Sequence, residues 1–196
     1  MIRILIIITI ITAFLQCQTR EVSDEVLFSR FIKQFQEVQL PIDSALIYRV
    51  HNNPMVQGRI DTLFVQKFIN PEYQLKVNMP VYDGYAYAFL LPKEENIYES
   101  LIYYKSEGRE QSFVLNTYTP EGTLLSTLPI SEDSSSYKRI TGQINESRLI
   151  VLREFILNQP DSISKEMIFE IEKDGTIIPQ DTFIIKSENF GDFINN

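Results

Sequence analysis

The chain has 196 residues, 44% of them hydrophobic, 12% aromatic and 22% charged, with a net charge of −8. That is too apolar for a disordered chain, and 7 Gly with a single Cys excludes both a fibrous protein and a disulfide scaffold. The length suits one domain with a substantial core, and so acidic a chain lacks the Lys/Arg footprint that nucleic acid demands.

At the start, Arg3 precedes an uninterrupted run from Ile4 to Leu15 in which every residue but two threonines is apolar. A short positive segment followed by such a run has the form of a secretory signal. Twelve residues rise about 18 Å at 1.5 Å each, well short of the roughly 30 Å of hydrocarbon a spanning helix crosses. The single cysteine, Cys17, sits where the run ends, so no internal disulfide can form. As a residue type in that place it is either a leftover thiol or a lipidation site. Arg3, the apolar run and Phe14-Leu15-Gln16-Cys17 resemble a bacterial lipoprotein signal with its lipobox. The family prefers Leu where Phe14 stands and a small residue where Gln16 stands. The resemblance covers the first 17 residues, and the other readings are an ordinary cleaved signal and an uncleaved anchor. It implies a lipid on Cys17, cleavage just before it, and a place in the cell envelope, tethered to a membrane and facing the periplasm or the surface. Residues 1–16 are then the signal, 17–24 a lipidated tether and 25–196 a single domain. Losing residues 1–16 removes Arg3 alone, leaving 17 basic against 26 acidic residues, a net charge of −9.

Beyond the tether, Asp24 or Ser23 can cap a helix. Val26, Phe28, Phe31, Ile32, Phe35 and Val38 recur at spacings of three and four, which predicts an amphipathic helix from Glu25 to about Val38. Leu40-Pro41-Ile42 stops it, because proline disfavours helix in the residue before it. Asn52-Asn53-Pro54 reads as a turn. Ile60, Leu63, Phe64, Lys67 and Phe68 suit one face of a second short helix ending before Pro71, with a strand over 62–69 as the alternative. The helical part therefore spans about 25–70.

From Tyr73 the period changes to two. Turn signals at Asp83-Gly84, Glu107-Gly108, Pro120-Glu121-Gly122, Asn145-Glu146-Ser147 and Asp174-Gly175 separate β-rich runs. The runs are 73–79, 84–91, 97–105, 111–119, 123–130, 137–144, 148–157, 166–172 and 181–186. Short turns between successive strands predict an antiparallel meander over 73–186. The run 148–157 is apolar on both faces and reads as a central strand. Two segments share a form, Tyr118-Thr-Pro-Glu-Gly-Thr-Leu-Leu and Ile171-Glu-Lys-Asp-Gly-Thr-Ile-Ile. They read as two ordinary hairpins; the β part is too short for a closed propeller of four-stranded blades. The predicted class is α+β, mainly β: an N-terminal amphipathic helix, a short second one, then the meander. The layout also resembles a broad group of Bacteroidota envelope lipoproteins without an assigned activity, through Leu40-Pro41-Ile42 and Glu121-Gly122-Thr123-Leu124. That resemblance bears on place and architecture and supplies no catalytic residue.

For chemistry the chain offers little. His51 is the only histidine and lies in a turn context, so neither a Ser-His-Asp nor a Cys-His site has its usual parts. Zinc sites built on Cys and His are excluded by count, and no phosphate loop or dinucleotide fingerprint is present. A carboxylate pair could serve a hydrolase. Candidates are Asp83, Glu94, Glu95, Glu99, Asp133 and Glu154, the last more simply an ion-pair partner. Glu132-Asp133-Ser134-Ser135-Ser136 could offer oxygens to calcium, though a polar loop is the plainer reading. Six of the ten tyrosines fall between Tyr82 and Tyr104. Tyr85, Tyr87 and Phe89, on one strand face by period two, together with Tyr103, form the candidate binding surface; a cross-strand packing role is the alternative. The expectation is a non-enzymatic binding protein tethered through Cys17, taking an envelope protein or glycan and no nucleic acid, with no cofactor and no metal. A carboxylate-dependent envelope hydrolase is the alternative.

Overall fold

The computed structural model describes residues 22–51, 58–74, 83–93, 97–108, 110–134, 138–156 and 163–186. The elements are α1 (Asp24–Ile32), β1 (Gln36–Glu37), α2 (Ser44–His51), α3 (Thr62–Phe64), β2 (Gly84–Leu90), β3 (Glu99–Glu107), β4 (Glu110–Tyr118), β5 (Leu124–Ser134), β6 (Lys138–Ile144), β7 (Leu149–Ile156), β8 (Ile163–Ile171) and β9 (Ile177–Lys186). The nine strands form one sheet in chain order. Every neighbour pair from β2 onward is antiparallel, and only β1 runs parallel to β2. The predicted α+β class with a meander is therefore what the chain forms. Of the predicted runs, 75–79 lies outside the described residues, as do the Asn52–Pro54 turn and the signal, Cys17 and the tether as far as residue 21.

Two elements differ from expectation. The first helix stops at Ile32, not near Val38. Its last turn tightens, with Gln34 N–H on Phe31 O and Phe35 N–H on Ile32 O, and Val38 N–H then reaches Leu90 O. The open edge of β2 offers backbone partners that the helix end lacks, so the apolar spacing continues as a strand. α2 carried no sequence prediction; Asp43 Oδ1 accepts from Leu46 N–H at its start. The 62–69 segment is helical as predicted. Asp61 caps it by accepting from Leu63 N–H at 2.8 Å. The helix widens over Val65–Ile69 into a π-helical turn, closed by Asn70 N–H on Val65 O.

The sheet is folded back on itself. β5 and β6 share only three pairs, Glu132↔Ile140 to Ser134↔Lys138. Past them the two halves stack, as four-stranded modules β2–β5 and β6–β9. One core lies between the modules, built from Ile102, Tyr104, Phe113, Leu115 and Ile130 on one side and Ile140, Ile150, Leu152 and Ile171 on the other. A second core lies on the opposite face of the first module, where Leu101, Tyr103, Val114 and Tyr118 meet Phe28, Phe31, Phe35, Val65 and Phe68 of the helical layer. The order of layers is thus helices, first module, second module. Phe31 and Phe68 stack at 5.2 Å, and Phe35 meets Tyr87 edge-on at 5.0 Å, a type of contact that adds about 0.5–1.5 kcal/mol beyond area burial.

The two similar segments are the β4–β5 and β8–β9 hairpins. Their turns match bond for bond, 53 positions apart. Thr119 N–H donates to Thr123 O and Gly122 N–H to Thr119 O; Glu172 N–H donates to Thr176 O and Gly175 N–H to Glu172 O. Gly122 (φ 94°) and Gly175 (φ 87°) supply the left-handed residue these turns need. Each glycine also lies against an aromatic ring of the layer before it. A Cβ on Gly122 would be 2.6 Å from Phe28 Cγ, and one on Gly175 would be 2.9 Å from Tyr98 Cγ.

Candidate functional site

The tyrosine surface is corrected by the structure. Tyr85, Tyr87, Phe89 and Tyr103 are all buried, none more than 7% exposed, and so form no binding surface. Nor do the first three share a face. The β2–β3 register slips between Tyr87↔Tyr103 and Phe89↔Ile102, and this bulge turns Ala88 and Phe89 both toward the core between the modules. Tyr85, Tyr87 and Tyr103 face the helical layer instead. Burial pushes the Tyr103 and Tyr118 hydroxyls well above the ordinary tyrosine range. Tyr118 OH donates to Phe68 O at 2.7 Å and accepts from Asn116 Nδ2 at 2.7 Å, so the tyrosines are core residues tied by a small polar network.

The carboxylates do not form one site. Asp83 Oδ1 accepts from Gly108 N–H at 3.2 Å. Glu99, only 4% exposed, pairs with Lys93 at the start of β3. Glu154 pairs with Lys138 at 3.5 Å, as the ion-pair reading expects. Glu94 and Glu95 lie outside the described residues. Glu132, Asp133 and Ser134 belong to β5 rather than to the polar loop expected there, and Ser135 and Ser136 lie outside the described residues. Among the described residues no group of three His, Cys, Asp or Glu could hold a metal. His51 closes α2 instead of lying in a turn.

What the structure does present is the outer face of the second module. Register makes the comparison between modules direct. Ser100↔Thr117 in the first module corresponds to Leu149↔Glu170 in the second, an offset of 49 on β3/β7 and 53 on β4/β8. On the face turned away from the helices, Ile102, Leu115 and Thr117 are completely buried under the second module. Their counterparts Val151, Ile168 and Glu170 are only half-buried. Leu149 and Ile178 are half-buried as well, and Phe183 on β9 is 46% exposed. The far end of this face is polar, with Arg153 Nε donating to Glu166 Oε2 at 2.8 Å. β9 is the last strand of the sheet.

At the hairpin end this face runs into an open cleft of about 600 Å³ lined by Ser147, Glu170, Lys173, Asp174 and Ile178 among others. Thr176 N–H on Asp174 Oδ1, at 2.8 Å, holds that carboxyl below its ordinary value. The residues of this face were not singled out from the sequence as a site. The signal that could have found them is the pair of similar segments, once read as equivalent positions in a repeated module. No known protein family, curated protein or solved structure matches the chain. Among the described residues no helix is long and apolar enough to cross a membrane.

Proposed function

We propose that this is a cell-envelope protein, lipid-anchored at Cys17, that binds a partner rather than catalysing a reaction. One observation carries the binding half of this reading: Leu149, Val151 and Ile168 lie together, half-covered, where their equivalents in the first module, Ser100, Ile102 and Leu115, are buried. A contiguous apolar face on a rigid scaffold marks an interaction site more readily than scattered exposed side chains do. Apart from Phe183 beside the polar Arg153–Glu166 end, the residues named on this face are branched aliphatic, which suits a protein partner better than a glycan, against which several aromatic rings would stack. The acidic balance of the mature chain argues against nucleic acid. The lipobox-like segment ending at Cys17 supports the tether, since more than one acyl chain is needed for stable attachment. A hydrolase would need two carboxylates converging on one cleft, whereas Asp83, Glu99 and Glu154 each sit on separate elements with separate partners.

The experiment is photo-crosslinking in intact cells with the reactive residue at position 168. A discrete crosslinked species at 168, absent when the residue is placed at exposed position 34 beyond α1, is expected. No product at 168, or the same products at both positions, contradicts the reading.

A further inference from the structure

The molecule contains its own precedent for what covers such a face. The β8–β9 hairpin seats on the first module through four residues. Tyr98 and Leu125 close on Gly175, Thr117 Oγ1 donates to Gly175 O at 2.6 Å, and Ser126 Oγ accepts from Ile177 N–H at 3.1 Å. The β4–β5 hairpin seats on the helical layer in the same manner, with Gly122 against Phe28. Shifting Tyr98 and Thr117 by the offsets of 49 and 53 gives Ser147 and Glu170 in the second module, and Ile178 pairs with Glu170 as Ser126 pairs with Thr117, while Leu125 lies at the β5 bulge and has no paired counterpart. Ser147, Glu170 and Ile178 all line the open cleft. The cleft is therefore the second module's version of the hairpin seat, and the half-buried Leu149, Val151 and Ile168 are its version of the stacking face.

We propose that the outer face of β7–β9 docks a further four-stranded antiparallel module of this same form, presented by a partner polypeptide, whose Gly-Thr hairpin enters the cleft at Ser147, Glu170 and Ile178. The proposal rests on the reading of this face as a binding surface and names its partner by chemistry. Stacked modules of this kind bury one face each against the next, and an end of the stack needs either a cap or another unit. The helical layer caps the first module. A second copy of this chain is a poor occupant, because both its Gly-Thr hairpins are already seated, against Phe28 and Tyr98. Specificity follows from the substitutions between the two seats. Thr117 donates to the hairpin carbonyl, whereas its counterpart Glu170 accepts. The docking hairpin must then turn an N–H, hydroxyl or cationic donor toward Glu170 rather than a bare carbonyl. The partner's stacking face must be aliphatic opposite Val151 and Ile168 and polar opposite the Arg153–Glu166 pair.

The test supplies such a module at high local concentration by fusion, which raises the effective concentration of a tethered unit to the millimolar range. In the full chain carrying Cys17→Ser, residues 137–186 are repeated after Asn196, with the repeat's residue 174 replaced by Lys so that a donor can reach Glu170. A single reporter thiol is placed by Ile168→Cys in the first copy. Thiol labelling is expected to slow at least tenfold relative to the same chain without the repeat. Adding Ser147→Trp, which fills the cleft, is expected to restore fast labelling. A reporter at Gln34→Cys is expected to label equally in all forms. Labelling at 168 that is unchanged by the repeat overturns the proposal, whether the added residues fold or not, and so does slowing that Ser147→Trp leaves intact. No cellular partner enters this assay. A failed crosslink in cells with successful protection here would sink the proposed function while sparing the docking geometry, and the reverse result would do the opposite.

Discussion

Gly142→Ala probes how the sheet turns back on itself. Beyond the three pairs that join β5 to β6, β6 passes close against the backbone of β5. A Cβ at position 142 would lie 2.2 Å from the carbonyl oxygen of Ile130 and 2.8 Å from Leu152 Cδ2. A leucine methyl can rotate aside, but a backbone oxygen in a buried strand moves only if the strand moves. Gly142 does not have a positive φ, so its backbone accepts alanine. At an unhindered site of that kind, Gly→Ala stabilises by about 0.4–1 kcal/mol by removing freedom from the unfolded chain. Overpacking a tight site costs about 1–3 kcal/mol. The steric effect is the larger, leaving a net loss of roughly 1–2 kcal/mol. In a domain of this size each kcal/mol moves Tm by about 2–4 °C, so thermal unfolding followed by circular dichroism should show Tm lowered by about 2–8 °C. A Tm equal to or above that of the wild type would refute the close approach of the modules, because the unfolded-state effect alone would raise it.

Further outcomes follow from the anchor, the polar network and the buried tyrosines. Radiolabelled palmitate should enter the wild-type chain in cells and not the Cys17→Ser variant; label in both removes the lipidation reading. Tyr118→Phe strands Asn116 Nδ2 and Phe68 O in the core, and losing buried partners of this kind costs about 1–3 kcal/mol each, read as a lower urea midpoint with unchanged slope; an unchanged midpoint would mean the network does not form. Stability should hold to about pH 10, the ordinary tyrosine value, and fall above it. Burial raises Tyr103 and Tyr118 in the folded chain, so the unfolded chain releases those protons first and rising pH favours it. Absorbance at the phenolate band should therefore show these two tyrosines ionising only together with unfolding, and reversible ionisation at the ordinary value without unfolding would contradict their placement.

Much of the strand layout was legible because it is written in turn chemistry. Asp83-Gly84, Glu107-Gly108, Pro120-Glu121-Gly122 and Asp174-Gly175 punctuate the chain where strands begin or end, and all four glycines have positive φ. The faces were less legible. Period two assigns Phe89 to the side of Tyr85 and Tyr87, but a single extra residue in β2 reverses it, and nothing in GYAYAFL announces a bulge. The end of α1 was misplaced for a similar reason. Phe35 and Val38 keep the helical spacing, yet an unpaired sheet edge captures the backbone before they are reached. The tyrosine cluster looked like a surface because aromatic density suits binding and packing alike; only the helical layer over it decides. The candidate face was half visible. The repeated hairpin is plain in the letters, but its meaning lies in the register offset of 49 and 53, which appears only when the strands are paired.

Equivalent positions of the two stacked modules differ, Leu115 being buried and Ile168 only half-covered. Single-thiol chains in a Cys17→Ser background, Leu115→Cys and Ile168→Cys, place a reporter at the same position of each module. The half-covered residue 168 should label in native buffer without unfolding, while residue 115 labels only through unfolding, slower by several orders of magnitude. Native labelling at comparable rates at the two positions would contradict the stacked arrangement.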